Sequence, residues 1–256
     1  MNSQIILTLI ILLSLNLAYS KSNIRNTAVT CNYSYLNNKN TTTPSPQNLL
    51  VLGKAAVYAV LAYATTTNSG PTTIVGNIGV SPGSAIAGLP VTLIGGTQHS
   101  ADQNALDAQN AATNAYNKIL ILTNAKDLTG IDLVNLVLLP GRYKFSSSAF
   151  LSASGFLTLD AKGNAKAEWY FQIGSTLISS VGAEVRVING GSALNVYWQV
   201  GSSATIKGST NMVGNIIALA SITFGTSANL IGRAYALNGA ITMLSNTIAS
   251  ALCKNN

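Results

Sequence analysis

The chain has 256 residues, of which only 8% are charged, and its formal net charge is +7. Ordinary soluble domains carry about a quarter charged residues, and here the 14 basic residues are scattered, with no basic arm. Composition therefore excludes a nucleic-acid-binding tail, and the excess positive charge indicates a solvated surface.

The N-terminus reads as a targeting segment. Ile5 to Leu17 form an apolar run that is too short to span a bilayer, and Ala18-Tyr19-Ser20 supply a small-x-small cleavage pattern. We predict a signal peptide over residues 1–20, removed after Ser20. The absence of Lys and Arg before the run leaves an N-terminal membrane anchor as the alternative. No later stretch resembles a membrane span, so we predict a secreted, extracellular protein.

Residues 21–47 are rich in Asn, Thr and Ser and predict a polar lead-in that caps the fold or serves as a linker. Cys31 and Cys253 lie near the two ends of the mature chain. In an oxidising compartment such a pair predicts a disulfide, with two unrelated thiols as the alternative. Asn32 and Asn40 each begin a glycosylation sequon.

Residues 48–252 predict one folded domain, followed by a tail over 253–256. Only one segment of the domain has helical periodicity, and we predict a helix at about 100–122. Ser100 with Gln103 forms a predicted capping box, and Asp102 suits the first turn. The apolar stripe is composed largely of alanine, which allows close packing on a flat partner: Ala101, Ala105, Ala108, Ala112, Tyr116, Ile119 and Leu120.

The remaining sequence consists of short strand-like runs that repeat. Three of them, Ala204-Thr205-Ile206, Ile222-Thr223-Phe224 and Ile241-Thr242-Met243, place a threonine between two apolar residues. Two further short runs occur in each interval between these threonines. Three strands in a repeat of about 18 residues predict a three-sided parallel β-helix. Because alternate strand residues point to opposite faces, the threonines are expected to face outward and their neighbours inward.

No catalytic or metal-binding constellation is visible. Asp160 and Glu168 flank a loop whose lysines, Lys162 and Lys166, suggest simple ion pairs. The lone His99 lies just before the predicted helix and is interpreted as a polar residue at its end. Neither a nucleophile–base arrangement nor metal-ligand spacing appears. We therefore predict no enzyme activity, no metal and no cofactor.

The chain from about Leu49 to Ala249 resembles the ice-binding-like family of the domain-of-unknown-function 3494 type, found in microbes of cold habitats. The resemblance rests on stretches in family order: residues 76–83 (GNIGVSPG), 97–102 (TQHSAD), 139–145 (LPGRYKF), 157–163 (LTLDAKG), 169–174 (WYFQIG), 196–201 (VYWQVG) and 232–234 (GRA). It implies a right-handed β-helix of triangular section (an irregular parallel solenoid, mainly β) with one long α-helix alongside. It also implies coils stacked out of sequence order.

The resemblance further implies that one regular face binds ice and inhibits ice growth or recrystallisation. Carried over by motif, the centre of that face is Ser152, Ile178, Thr205, Thr223 and Thr242. Ile178 and the nearby Lys207 are less typical of such a face. The alternative function is an adhesive or structural protein of a cell surface or matrix without ice activity.

Overall fold

The computed structural model describes residues 51–88, 90–153 and 155–250, together with the backbone of two short strands near the ends. These two strands, Thr30–Cys31 and Cys253–Lys254, pair antiparallel with Cys31 directly opposite Cys253. The cysteine side chains lie outside the description, as do the predicted signal peptide and both sequon asparagines. The predicted disulfide and glycosylation therefore stay predictions.

All strand pairs between residues 58 and 249 are parallel, and they form a seven-stranded and a 15-stranded sheet. Because the larger sheet divides into two faces, the solenoid has three sides. The seven-stranded sheet, here called the Thr face, contains in spatial order Ala149–Leu151, Leu177–Ser179, Ala204–Ile206, Ile222–Phe224, Ile241–Leu244, Thr65–Ser69 and Ala85–Gly88. The fold class predicted from the sequence, an irregular parallel β-helix with one long helix, is confirmed.

The other two sides share two long strands, Asn211–Ala218 and Asn229–Ala236, which turn the corner at Gly214 and Gly232. The second halves of these strands belong to the helix face, with Lys126–Asp127, Gly141–Phe145, Trp169–Ile173, Val196–Val200, Tyr58–Ala62, Asn77–Val80 and Gln98–Ser100. The first halves belong to the third face, with Val137–Leu138, Phe156–Asp160, Glu184–Ile188, Thr247–Ala249, Thr73–Val75 and Thr92–Ile94. Short 3-10 helices cover Gly53–Val57 and Ala193–Asn195.

The coils are stacked out of sequence order. Strand Thr65–Ser69, from the first coil of the chain, pairs with Ile241–Leu244 from the last one. After the next coil ends at Ser100, the helix Gln103–Leu120, called α1, leads to strand Lys126–Asp127 at the opposite end of the stack. The coils that precede α1 in the chain therefore form one end of the solenoid, and the chain that follows α1 starts at the other end. This is the out-of-order stacking that the family resemblance implied.

Helix α1 lies on the helix face through its alanines. Ala108, Ala112 and Ala115 are fully buried, and their small side chains let the helix approach the sheet closely. Gln109 Nε2 donates to the backbone oxygen of Ala236 at 3.0 Å, so the contact also has a polar anchor. The helix contributes to the fold by covering one complete side, which leaves the Thr face and the third face open.

The predicted helix is confirmed, but it begins three residues later than predicted, at Gln103, and its cap lies two residues later than Ser100. Asp102 is the N-cap, and its Oδ1 accepts the backbone N–H of Ala105 at 2.8 Å. Ser100 is not available as a cap because it continues the strand Gln98–Ser100, where its Oγ donates to the backbone oxygen of Ser84. The capping box of Ser100 and Gln103 therefore does not form.

The core changes character along the solenoid. One inward column begins with stacked aromatic rings and continues with smaller side chains in successive coils: Tyr143, Phe171, Trp198, Ile216, Ala234, Val60 and Ile78. The rings of Phe171 and Trp198 are parallel, with centroids 4.0 Å apart. In this column the coils at residues 141–200 thus contribute aromatic side chains, and the coils beyond them contribute aliphatic ones.

Candidate functional site

The Thr face carries a single outward row that crosses all seven strands. Successive members are direct partners in the parallel pairing: Phe150, Ile178, Thr205, Thr223, Thr242, Thr67 and Ala87. Four adjacent members are threonines. We call this set the central row.

The alternation of the strands explains why the threonines face outward. On either side of Thr223 the residues Ile222 and Phe224 are buried in the core, and Thr223 itself is exposed. Thr242 has the same arrangement between Ile241 and Met243. The orientations predicted from the repeat are therefore confirmed. In an apolar-Thr-apolar strand the two apolar residues pack in the core. The threonine between them must then point to the opposite side, so its hydroxyl and methyl groups lie on the surface.

A second outward column runs beside the central row, two residues earlier in each strand. It consists almost entirely of small or hydroxyl-bearing residues: Ser148, Thr176, Ser203, Ser221, Ala240, Thr65 and Ala85. The hydroxyls of Ser148 and Thr176 are 2.7 Å apart, and the N–H of Ala240 donates to Ser221 Oγ. These hydrogen bonds between coils restrict side-chain rotation and make the surface regular.

Parallel pairing gives the two columns a fixed lattice. Neighbouring strands are about 4.8 Å apart, and alternate residues along a strand are about 6.6 Å apart. Thr67 Oγ1 and Thr242 Oγ1 are 3.3 Å apart, so hydroxyls of adjacent coils come within hydrogen-bonding distance. Because threonine is β-branched, its χ1 is stiff. The face can therefore hold water at fixed positions with little loss of side-chain entropy.

One predicted member of the site is not in the central row. The partner of Ile178 in the preceding strand is Phe150, whereas Ser152 lies two residues further on, after the strand ends at Leu151. Asp132 engages Ser152 by accepting from both its N–H and its hydroxyl. Ser152 is therefore not in the central row, because Ser152 and Phe150 lie two residues apart on the chain and only the register decides which of them pairs with Ile178; a part for Ser152 in ice binding stays a prediction. Phe150 is 49% exposed and ends the central row beyond Ile178.

The other predicted members, Ile178, Thr205, Thr223 and Thr242, lie in adjacent strands of the row. Lys207 follows two residues after Thr205, is exposed, and lies at the edge of the face. Sequence reasoning missed Thr67 and Ala87, which come from the other part of the chain. The Thr-rich strand Thr65–Ser69 was the available signal, but its neighbour in space could not be identified from the repeat.

Charge separates the solenoid into two halves. Residues 55–98 contain no charged side chain, and residues 208–250 contain only Arg233. Arg233 is buried, with Nε donating to the backbone oxygen of Ala56 and Nη1 to Asn215 Oδ1. We call these two segments the neutral half and residues 126–207 the charged half. Three of the four threonines of the central row lie in the neutral half, and Thr205 lies in the last strand of the Thr face within the charged half.

The carboxylates of the charged half have structural partners. Asp160 accepts from the backbone N–H of Lys162, pairs with its Nζ at 2.9 Å and accepts from Asn189, and these contacts lower the pKa of Asp160 to about 2. Glu184 pairs with Arg186 at 2.5 Å. Burial raises the pKa of Glu168, which accepts from the hydroxyl of Tyr170. Of the ion pairs predicted around this loop, Asp160 with Lys162 is confirmed, whereas Lys166 and Glu168 form none among the described residues.

His99 has a structural position at the start of α1. Its Nδ1 lies 2.6 Å from Asp102 Oδ2, and its Nε2 lies 2.9 Å from Thr97 Oγ1. The N–H of Ala105 and the contact with His99 hold the pKa of Asp102 below its usual range. The predicted role as a polar residue at the helix end is confirmed. Across residues 51–88, 90–153 and 155–250, no three metal-ligating side chains come together.

Fold and surface together define a three-sided β-solenoid that presents a regular, hydroxyl-rich sheet with little charge. A family model described as ice-binding-like matches residues 60–249. An ice-binding protein of Nostoc sp. (strain HG1) is 46% identical over 205 residues, which are 80% of this chain and 75% of the relative. The chain therefore belongs to the ice-binding-like family.

Solved structures agree with this assignment. An ice-binding protein from an Antarctic biological consortium superposes with a TM-score of 0.75 at 42% identity, covering 82% of this chain and 93% of that chain. An ice-binding protein of the Antarctic ascomycete Antarctomyces psychrotrophicus gives a TM-score of 0.73 at 33% identity, covering 78% and 98%. In the part of the chain that the structure describes, no helix has the length and apolarity needed to cross a membrane.

Proposed function

We propose that this protein is a secreted ice-binding protein that adsorbs to ice through the Thr face and thereby hinders ice growth or recrystallisation. The observation that carries the proposal is the run of Thr205, Thr223, Thr242 and Thr67 in register on four adjacent strands. Relatives named as ice-binding proteins support ice as the target.

The mechanism follows from rigidity and low charge. A charged side chain holds its own hydration shell and disturbs an ordered water layer, whereas a threonine offers one hydroxyl and one methyl at a fixed position. Each ordered water costs little entropy when the surface beneath it is already rigid. Many weak contacts over two regular columns then act together, because a solid lattice engages all of them at once. Growth of the crystal is hindered where the protein stays adsorbed.

The test compares the chain with Thr223→Tyr in a nanolitre osmometer, measuring thermal hysteresis and ice recrystallisation. The bulky ring should hold the face away from the lattice, so we expect the variant to lose most of the activity. Thr113→Tyr is the matched control, since Thr113 is exposed on α1. A folded parent without effect on ice would contradict the proposal and favour the adhesive or structural function.

Export is the second part of the proposal. We propose cleavage after Ser20, a disulfide between Cys31 and Cys253, and glycosylation at Asn32 and Asn40 where the host performs it. Residues directly opposite in an antiparallel pair have Cα atoms about 4.5 to 5.5 Å apart, within the range that a disulfide spans. Mass spectrometry of the exported chain with and without reductant tests this. A gain of two hydrogen atoms on reduction is expected, because the reductant supplies two electrons and two protons enter from solvent, and an unchanged mass would exclude the disulfide.

A further inference from the structure

The third face continues the neutral surface of the solenoid around a corner from the Thr face. Within the neutral half it has one outward column of amides and hydroxyls, with members that are direct partners: Asn211, Asn229, Thr247, Thr73 and Thr92. Beside it runs a column of aliphatic residues, of which Val213 and Val75 are buried and Ile231, Ala249 and Ile94 reach the surface. We propose that this part of the third face is a second ice-adsorbing surface, an inference that rests on the proposed function.

Rigidity is the first argument. Asn229 Nδ2 donates to Asn211 Oδ1 at 3.1 Å, so the two amides hold each other in place across adjacent coils. The next three members of the column are threonines, and β-branching limits each of them at χ1. The aliphatic column contains mostly β-branched residues as well. The surface thus combines fixed polar atoms with fixed methyl groups on the same strand lattice as the Thr face.

Charge is the second argument. The neutral part of the third face contains no ionisable side chain over five coils. It ends at Glu184, the partner of Asn211, where the pair Glu184–Arg186 lies on the surface and the guanidinium of Arg186 stacks 3.8 Å from the centroid of Phe156. On the Thr face the last charged residue is Lys207, which lies one coil further along the solenoid than Glu184, so the two boundaries are one coil apart. Absence of charge therefore extends to both open sides.

The corner between the two faces is the third argument. Ser209, Ser227 and Ser245 occupy successive coils with φ of 56°, 59° and 54°, and Gly70 follows with φ of 82°. Each backbone N–H of these serines donates to the next coil, so a left-handed residue with the same hydrogen bond recurs at this corner, although the turn at Ser245 is one residue shorter than those at Ser209 and Ser227. The recurring hydrogen bond ties each corner to the next and supports a regular third face beside the Thr face.

Two faces of a prism cannot lie on one plane of a crystal. If both adsorb, the protein binds ice in two orientations and each face acts separately. Thr247→Tyr should remove only the contribution of the third face, and Thr242→Tyr only that of the Thr face. Ile188→Tyr is the control, because Ile188 is exposed on the third face within the charged half.

The experiment adsorbs the fluorescently labelled chain and these variants onto single-crystal ice hemispheres, with thermal hysteresis measured in parallel and folding checked by circular dichroism. Thr92→Tyr replaces Thr247→Tyr if that variant unfolds. Thr242→Tyr should lose most of the hysteresis and keep the labelled planes of the third face, whereas Thr247→Tyr should keep most of the hysteresis and lose those planes. The double variant should retain neither set of planes, and Ile188→Tyr should match the parent.

Two results would overturn the inference while leaving the Thr face intact. One is complete loss of adsorption in Thr242→Tyr together with parent-like planes in Thr247→Tyr. The other is equal loss in Thr247→Tyr and Ile188→Tyr, which would make the effect independent of the neutral surface. A folded parent that labels no plane would instead overturn the proposed function, and this inference with it.

Discussion

The two halves of the solenoid share one backbone architecture and differ in what they present outside and inside. The charged half, residues 126–207, has ion pairs such as Lys162 with Asp160 on its surface and stacked aromatic rings in its core. The neutral half has hydroxyls, amides and methyl groups outside and mostly aliphatic side chains inside. The difference shows that one solenoid can carry its charged, solubilising residues in some coils and its regular uncharged surface in others.

Charge removal alone would make the neutral half prone to association, because uncharged sheets and open strands are templates for pairing. The hydroxyl columns offer a different interaction, since they remain hydrated. Electrostatic repulsion between molecules and hydration then come from the charged half and from α1. Helix α1 carries Lys118 and Asp107, and Asp107 pairs with Lys54. This division predicts separate responses to mutation in the two halves.

The largest expected effect concerns the aromatic core of the charged half. Trp198 is fully buried, stacks on Phe171 and donates from Nε1 to the backbone oxygen of Val213 at 2.8 Å. Trp198→Ala should lower the free energy of unfolding by about 3 to 5 kcal/mol. Ile216→Val, one coil further in the same column, should cost about 0.5 to 1.5 kcal/mol. Urea unfolding measures both, and equal losses would contradict the description of the two cores.

The next effect concerns ice activity without a change in stability. Lys207→Thr removes the charge at the edge of the Thr face and extends the neutral surface by one coil, so thermal hysteresis should rise. Lys166→Thr, at an exposed site of the charged half, is the matched control and should leave it unchanged. An increase of the same size in both variants would show that total charge matters and position does not.

Lowering the pH should reduce the stability of the fold through the carboxylates of the charged half. The pKa of Asp160 is lowered from 3.8 to about 2, so its contacts stabilise the fold above about pH 4, and this contribution is lost as the pH falls towards 2. Asp160→Asn removes the titration and should make the stability less dependent on pH over that interval. Thermal unfolding of parent and variant between pH 2 and pH 5 tests this. If the midpoint of thermal unfolding changes with pH to the same extent in the parent and in Asp160→Asn, the stabilising role of Asp160 is excluded.

The smallest effect concerns the corner of the neutral half. Ser227 has a positive φ that glycine adopts without steric cost, so Ser227→Gly should raise the free energy of unfolding by roughly 0.5 to 1 kcal/mol. Ser221, just before strand Ile222–Phe224, is the control, because it has no positive φ and its Oγ accepts the N–H of Ala240. Ser221→Gly should therefore lower stability, by about 0.5 to 1.5 kcal/mol. Destabilisation by both changes would show that the corner stores no strain.

The sequence was sufficient to predict the solenoid and three outward threonines, because a repeat of 18 and 19 residues places Thr205, Thr223 and Thr242 at equivalent positions. It was insufficient for Thr67 and Ala87. These residues join the face through two coils that precede α1 in the chain and follow strand Ile241–Leu244 in space. Periodicity describes neighbours along the chain, and it holds no information on which ends of the stack meet.

The errors have a similar origin. Ser152 and Phe150 are both outward residues, since a strand repeats every two residues, and only the hydrogen-bonded register places Phe150 in the row. Ser100 and Asp102 are both good N-cap residues. The choice of Asp102 depends on strand Gln98–Ser100 pairing with Asn77–Val80, a long-range contact that local propensity does not contain.

The most direct test of the central claim uses Thr67, the threonine that the fold but not the repeat places in the central row. The measurement is the fraction of protein taken up into a slowly growing ice shell, for the parent, Thr67→Tyr and Thr113→Tyr. If four threonines from separate parts of the chain form one ice-adsorbing face, the parent and Thr113→Tyr should enter the ice, and Thr67→Tyr should be largely left in the liquid. Equal uptake of Thr67→Tyr and the parent would contradict the account.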